Sequence, residues 1–127
     1  MNRRAVITGM GALCSAGDNV AALARGVVNG ASALTAITDP RVAHLRAGYA
    51  GIIAGPVEKE DERGGAATLD RYTALALRAA GEALADSRIE PADYGPRMGT
   101  IMATCSGPML TIERYYRQRA EGRAEQG

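Results

Sequence analysis

Ala5-Val6-Ile7 is a short apolar run rich in β-branched residues, bounded by Arg3-Arg4 on one side and Thr8-Gly9 on the other. With no alternating polar face to offer water, it reads as a strand buried on both sides, the kind found in parallel sheets. A glycine-containing loop follows, from Gly9-Met10-Gly11 to Gly17, and then Val20, Leu23, Ala24, Val27 and Val28 recur at the spacing of a single helix face. Asp18 is predicted to cap that helix, and Asn29-Gly30 to stop it with a left-handed residue. Strand, glycine loop and amphipathic helix in this order restrict the chain to an α/β fold.

Further along, residues 31–67 carry Pro40, Pro56 and five glycines and read as an excursion, with one short strand predicted within Tyr49-Ala50-Gly51-Ile52-Ile53-Ala54-Gly55. Glu58-Lys59-Glu60-Asp61-Glu62-Arg63 is a solvated charge run leading into an Arg63-Gly64-Gly65 loop. Thr68 is predicted to cap a long helix from Leu69 to about Asp86, with Asp70 in its first turn. Ala76, Ala79, Ala80 and Ala83 give this helix a small-residue face, so it is expected to be buried on several sides and to be overpacked by Ala80→Leu. Asp93-Tyr94-Gly95-Pro96 is a turn, and Met98-Gly99-Thr100-Ile101-Met102-Ala103 is a second buried strand. Pro108 is expected to open a third helix as its first residue, and the pattern is lost from Glu121 onward.

The 127 residues suffice for one domain or part of one, and no linker divides them, so residues 1–127 are expected to hold no second domain. The core must be built from Ala, Val, Leu, Ile and Met, since there is no Phe, no Trp and only five Tyr. A formal charge of +1 gives neither the basic field of a nucleic-acid binder nor an acidic tail. No apolar stretch reaches the length of a signal-peptide core or a membrane span, so the expectation is a cytoplasmic protein with neither nucleic acid nor membrane as partner. Cys14 and Cys105 lie far apart without metal-ligand spacing, which fits reduced thiols.

Several residues invite a chemical reading. Gly9-Met10-Gly11 after a strand partly matches a dinucleotide-binding loop, but Cys14 stands at the third glycine position and Asp39, about thirty residues after Gly9, is too distant for the ribose ligand. A tight structural turn is the simpler reading, with a nucleotide-binding module as the alternative. Cys105 sits before a predicted helix N-terminus, where the dipole favours a thiolate. His44, the single histidine, lies in an unpatterned segment with no partner to form a nucleophilic or acid–base set. The acidic run offers no second constellation for metal binding. No residue is therefore assigned a catalytic, cofactor-binding or metal-binding role, and no cofactor is expected.

Taken together, Val6-Ile7-Thr8-Gly9-Met10-Gly11, the loop and helix to Gly30, Leu69-Asp70-Arg71-Tyr72 with the helix to Ser87, and Arg97-Met98-Gly99-Thr100 resemble, in order, the opening of the β-ketoacyl synthases. The resemblance implies a partial thiolase-like fold, the N-terminal portion of the αβαβα ketoacyl synthase architecture. It implies an enzyme family that performs decarboxylative Claisen condensation in fatty acid or polyketide synthesis, with acyl carrier protein as partner once the fold is completed. The family's nucleophilic cysteine follows a later strand than the one before Cys105, and no family histidine maps to His44, so the chain alone is expected to be inactive. A homo-oligomer or a non-catalytic subunit with a larger partner is the expected assembly, because two buried strands do not close a sheet. One departure stands out: Arg88 takes the place where such helices end on glycine, at a cost of about 1 kcal/mol if its backbone is left-handed.

Overall fold

In the computed structural model, which describes residues 4–53 and 70–122, the chain divides into two units. One comprises Met1–Pro56 with Leu77–Glu90, the other Val57–Ala76 with Pro91–Gly127.

In the first unit the amphipathic periodicity yields helix α1, Val20–Val28. Its cap is Asn19 rather than Asp18: Asn19 has an extended backbone, and its Oδ1 accepts the Ala22 N–H at 2.8 Å. Asp18 instead faces the Arg78 guanidinium at 3.5 Å. The helix stops as expected, with Asn29 still right-handed and Gly30 at φ +63°. A two-stranded antiparallel ribbon follows, β1 (Leu34–Ala36) against β2 (Tyr49–Gly51), in the register Leu34↔Gly51, Thr35↔Ala50, Ala36↔Tyr49. Strand β2 lies inside the predicted Tyr49–Gly55 run, whose Ala54 and Gly55 fall outside the described residues. Its partner was not foreseen, because Leu34-Thr35-Ala36 lacks the glycine boundaries that mark a strand in sequence. Between them a 3₁₀ turn, Pro40–Val42, is capped by Asp39, which accepts the Arg41 N–H and grips its guanidinium at 2.6 Å. That guanidinium holds the Asp39 carboxyl below the usual carboxylate range.

The predicted strand at Ala5-Val6-Ile7 is not one here. Among the described residues it joins no ladder, and Val6 and Ile7 are 77% and 84% exposed. A strand apolar on both faces needs neighbours on either side, and the described residues of the unit supply none.

Helix α2, Arg71–Ser87, is the longest element and contributes its last turns to this unit. The stretch Gly9-Met10-Gly11 lies directly against it. A Cβ placed on Gly9 would collide with the Ala83 carbonyl and stand 2.5 Å from the Ser87 nitrogen; one on Gly11 would collide with the Ala79 carbonyl and stand 2.8 Å from the Ala83 nitrogen. Neither glycine has a positive φ. The expected turn at Gly9–Gly11 is thus an extended approach to a helix, and the tight turn comes later, where Cys14 and Gly17 exchange N–H···O bonds of 2.9 and 3.2 Å. Ala79 and Ala83 form the small-residue face as read from the sequence, whereas Ala80 is exposed, so Ala80→Leu has no neighbour here to overpack. After the helix, Arg88 has φ +55°, the one non-glycine residue with positive φ among those described.

In the second unit Asp70 stands just before α2 rather than in its first turn. Its Oδ1 accepts the Tyr72 N–H at 2.9 Å, and its carbonyl accepts the Ala74 N–H at 3.0 Å. The predicted cap Thr68 and start Leu69 fall outside the described residues, as do the charge run, the Gly64-Gly65 loop and residues 123–127. Ala74, 3% exposed, is the one buried residue among those described, so the expectation of a helix buried on several sides fails. The predicted turn becomes α3 (Pro91–Tyr94) and a 3₁₀ turn, Gly95–Arg97, with the Arg97 guanidinium 5.7 Å from the Tyr94 ring centre. Met98–Ala103 forms no strand, and Ile101 is 98% exposed. Helix α4, Met109–Ala120, begins after Pro108, which is its cap rather than its first residue.

The close approach makes a paired prediction on helix α2. Gly11→Ala should lower stability by about 1–3 kcal/mol through overpacking. Gly81→Ala, where an added Cβ meets nothing within 4 Å, should leave it unchanged or raise it by up to ~1 kcal/mol. Urea midpoints of the two variants measure both, and equal shifts would contradict the packing described.

Candidate functional site

Three charged residues one turn apart on α2, Arg78, Glu82 and Asp86, share a face with Ala79 and Ala83. Because Gly9 and Gly11 bring a backbone onto that face, its amides need acceptors, and the carboxylates provide them. Asp86 Oδ2 accepts the Met10 N–H at 3.0 Å in an exposed position. Glu82 Oε2 accepts the Ala12 N–H at 2.9 Å, and its Oε1 accepts the Val20 N–H, also at 2.9 Å, both partly buried. Val20 opens α1, so the second contact places a carboxylate at the positive end of that helix, where it satisfies a donor with no intrahelical partner. The Arg78–Asp18 pair is long and exposed on both sides and adds little.

This geometry bears directly on the dinucleotide reading. A phosphate-binding loop needs glycine backbone free to approach the ligand and a helix N-terminus with open N–H groups. Here the glycine backbone is pressed onto α2. At the N-terminus of α1 the Val20 N–H is taken by Glu82 and the Ala22 N–H by Asn19. An internal carboxylate stands where a phosphate would have to sit.

The thiols and the histidine are not brought into a set. Cys14 is half-buried, its backbone engaged in the turn with Gly17, and His44 is exposed just after the 3₁₀ turn; no hydrogen bond joins the two among the described residues. Cys105 is exposed in a bend in which the Gly107 N–H bonds to Thr104 Oγ1 at 2.9 Å and Gly107 takes φ +58°. The bend separates it from the first residue of α4, Met109, and the Pro108 cap supplies no side-chain acceptor. Among the described residues no three His, Cys, Asp or Glu side chains gather as a metal site, and no helix is long and apolar enough to cross a membrane. A second carboxylate with a lowered pKa is at the start of α2: the Thr111 hydroxyl of α4 donates to Asp70 Oδ2 and the Tyr72 N–H donates to Oδ1. Those two bonds, with the nearby Arg114 charge, hold the Asp70 carboxyl below its ordinary range against a small opposing effect of burial.

Comparison with known proteins decides the family. Residues 2–126 match the family described as "Beta-ketoacyl synthase, N-terminal domain". The chain belongs to the β-ketoacyl synthases. It is similar to a Streptomyces coelicolor protein described as polyketide beta-ketoacyl synthase 2, with 37% identity over 108 residues, 84% of this chain and 25% of the relative. It is 34% identical over 122 residues to the tetracenomycin polyketide synthase ketoacyl synthase alpha subunit of Streptomyces glaucescens, covering 94% of this chain and 29% of that one. With the 3-oxoacyl-(acyl-carrier-protein) synthase 2 of Staphylococcus aureus it shares 33% over 123 residues, 92% of this chain and 29% of the relative. No solved structure matches it. The chain thus spans between a quarter and three-tenths of the length of these relatives, which belong to fatty acid and polyketide synthesis.

Sequence reasoning missed Glu82 and Asp86, the side chains that organise the N-terminal segment of this chain. A signal was present: Ala79, Glu82, Ala83 and Asp86 follow the i, i+3, i+4, i+7 spacing, so two carboxylates lie on the stripe read as a close-packed face. Charges placed on such a stripe imply donors opposite them.

Two measurements test these arrangements. Titration with NAD or NADP should show no saturable binding, because the helix terminus is already occupied; saturation would contradict the assignment of Glu82. For Asp70, a folded-state pKa below the unfolded value means a contribution to stability that is present above about pH 3.9 and is lost as pH falls through the folded value. The difference in urea midpoint between the unsubstituted chain and Asp70→Asn should therefore be largest above pH 4 and shrink below it. A difference independent of pH would contradict the Thr111 and Tyr72 contacts.

Proposed function

We propose that residues 1–127 are the N-terminal, structural portion of a single thiolase-like domain, acting in the cytoplasm as part of a decarboxylative condensing enzyme. The observation that carries this reading is the family match over residues 2–126, set beside coverage of 25–29% of the relatives' lengths. A complete synthase of this kind passes an acyl group from a thioester to a cysteine. Loss of carbon dioxide from a malonyl group on acyl carrier protein then generates the carbanion that attacks that acyl thioester. In this reading the present residues supply scaffold. The family needs two histidines and a cysteine beyond a later strand, whereas this chain has His44 alone and a thiol, Cys105, exposed in an earlier bend.

Exposure of Val6, Ile7, Ile101 and Met102 supports the same reading, since apolar runs of this kind become strands when neighbouring strands and helices cover both faces. Further residues of a thiolase-like fold, in the same polypeptide or a partner subunit, would provide that cover, and assembly as a homo-oligomer would extend it.

The isolated chain should not condense acyl and malonyl groups presented on acyl carrier protein, and should keep no radiolabelled acyl group after denaturation. Turnover abolished by Cys105→Ala would overturn the scaffold assignment. Conversely, a chimera in which this chain replaces the matching N-terminal residues of the Staphylococcus aureus synthase should condense both substrates. A folded but inactive chimera would count against the proposed role.

A further inference from the structure

The two oxygens of Glu82 bind different elements on either side of one turn. Ala12 precedes the Cys14–Gly17 turn and Val20 follows it at the head of α1, and each donates to its own oxygen at 2.9 Å. The turn between them is stiff. Cys14 and Gly17 exchange two backbone bonds, and Gly17 packs so closely on α1 that an added Cβ would stand 2.5 Å from the Leu23 nitrogen. Motion that draws Val20 off Oε1 therefore carries the turn with it and draws Ala12 off Oε2. Upstream, Gly9 and Gly11 touch the α2 backbone, so lifting Ala12 separates two closely packed surfaces. Asp86 holds Met10 at an exposed position where water can replace the bond, whereas both Glu82 bonds are partly buried and cannot be replaced so easily.

We propose that Glu82 is a two-point latch that makes the Met10–Ala12 segment and helix α1 open and close on α2 as one cooperative unit. Local opening in proteins commonly proceeds in such contiguous units, and here one side chain joins pieces that local hydrogen bonding alone would leave separate. The inference concerns the folded chain itself and stands whether or not the scaffold role is correct.

Amide hydrogen exchange on the full chain tests it. In increasing urea the Ala12, Val20 and Leu23 amides should merge onto one opening isotherm with a common slope. Separate slopes, or no protection at Ala12 and Val20 in the unsubstituted protein, would overturn the latch. Glu82→Gln retains the side-chain shape but leaves one of the two amides without an acceptor. It should accelerate Ala12, Val20 and Leu23 by a shared factor of about ten or more, although the acceptor of Leu23, the Asn19 carbonyl, is untouched. Acceleration confined to a single amide would show independent contacts. Arg78→Ala, which removes only the exposed ion pair, should leave all of these rates unchanged, and an equal acceleration would assign the coupling elsewhere.

Discussion

The meeting of the Gly9-Met10-Gly11 backbone with the Ala79–Ala83 ridge of helix α2 governs the first unit. Backbones approach this closely only where the incoming segment carries no side chain at the contact, and once they do, the Ala12 amide is partly withdrawn from water. A hydrogen-bond acceptor must then come from the helix side chains, because the helix carbonyls are already engaged in its own ladder. Glu82 and Asp86, one turn apart, meet that requirement.

From this contact the placement of α1 follows. Glu82 reaches past the extended segment to the first amide of α1, setting the start of that helix over a carboxylate, while Asn19 caps the Ala22 donor. The resemblance to a phosphate loop is therefore superficial: the glycines serve packing, and the charge at the helix terminus belongs to the protein. A similar economy operates in the second unit, where Asp70 both caps α2 through Tyr72 and ties down Thr111 of α4.

Around these fixed points much apolar surface stays uncovered. Val6 and Ile7 in one unit, and Ile101, Met102, Tyr115 and Tyr116 in the other, are all more than half exposed. Ladder hydrogen bonds and double-sided burial are cooperative properties of a sheet, and an apolar run with no adjacent strand cannot acquire them alone. Membership of the β-ketoacyl synthases gives these surfaces a rational place, since the matching region is one part of a longer architecture in the relatives.

What the sequence by itself determined is local. The i, i+3, i+4 pattern and Gly30 defined α1, the Ala-rich run defined most of α2, and Gly95 and Pro96 marked a turn. The ordered segments from Val6 to Thr100 were also enough to indicate the family. Such features depend on propensities and spacings within one or two turns, which the chain carries wherever it folds. Tertiary structure alone decided the rest. The cap of α1 is Asn19 because it is the residue with extended backbone whose Oδ1 reaches the Ala22 N–H; the pairing of Leu34–Ala36 with Tyr49–Gly51 depended on a partner more than a dozen residues away. The role of Glu82 could emerge only when residues 62 and 70 positions apart were brought together. Val6-Ile7 and Met98–Ala103 show the converse: strand propensity is local, but a strand exists only where another one lies beside it.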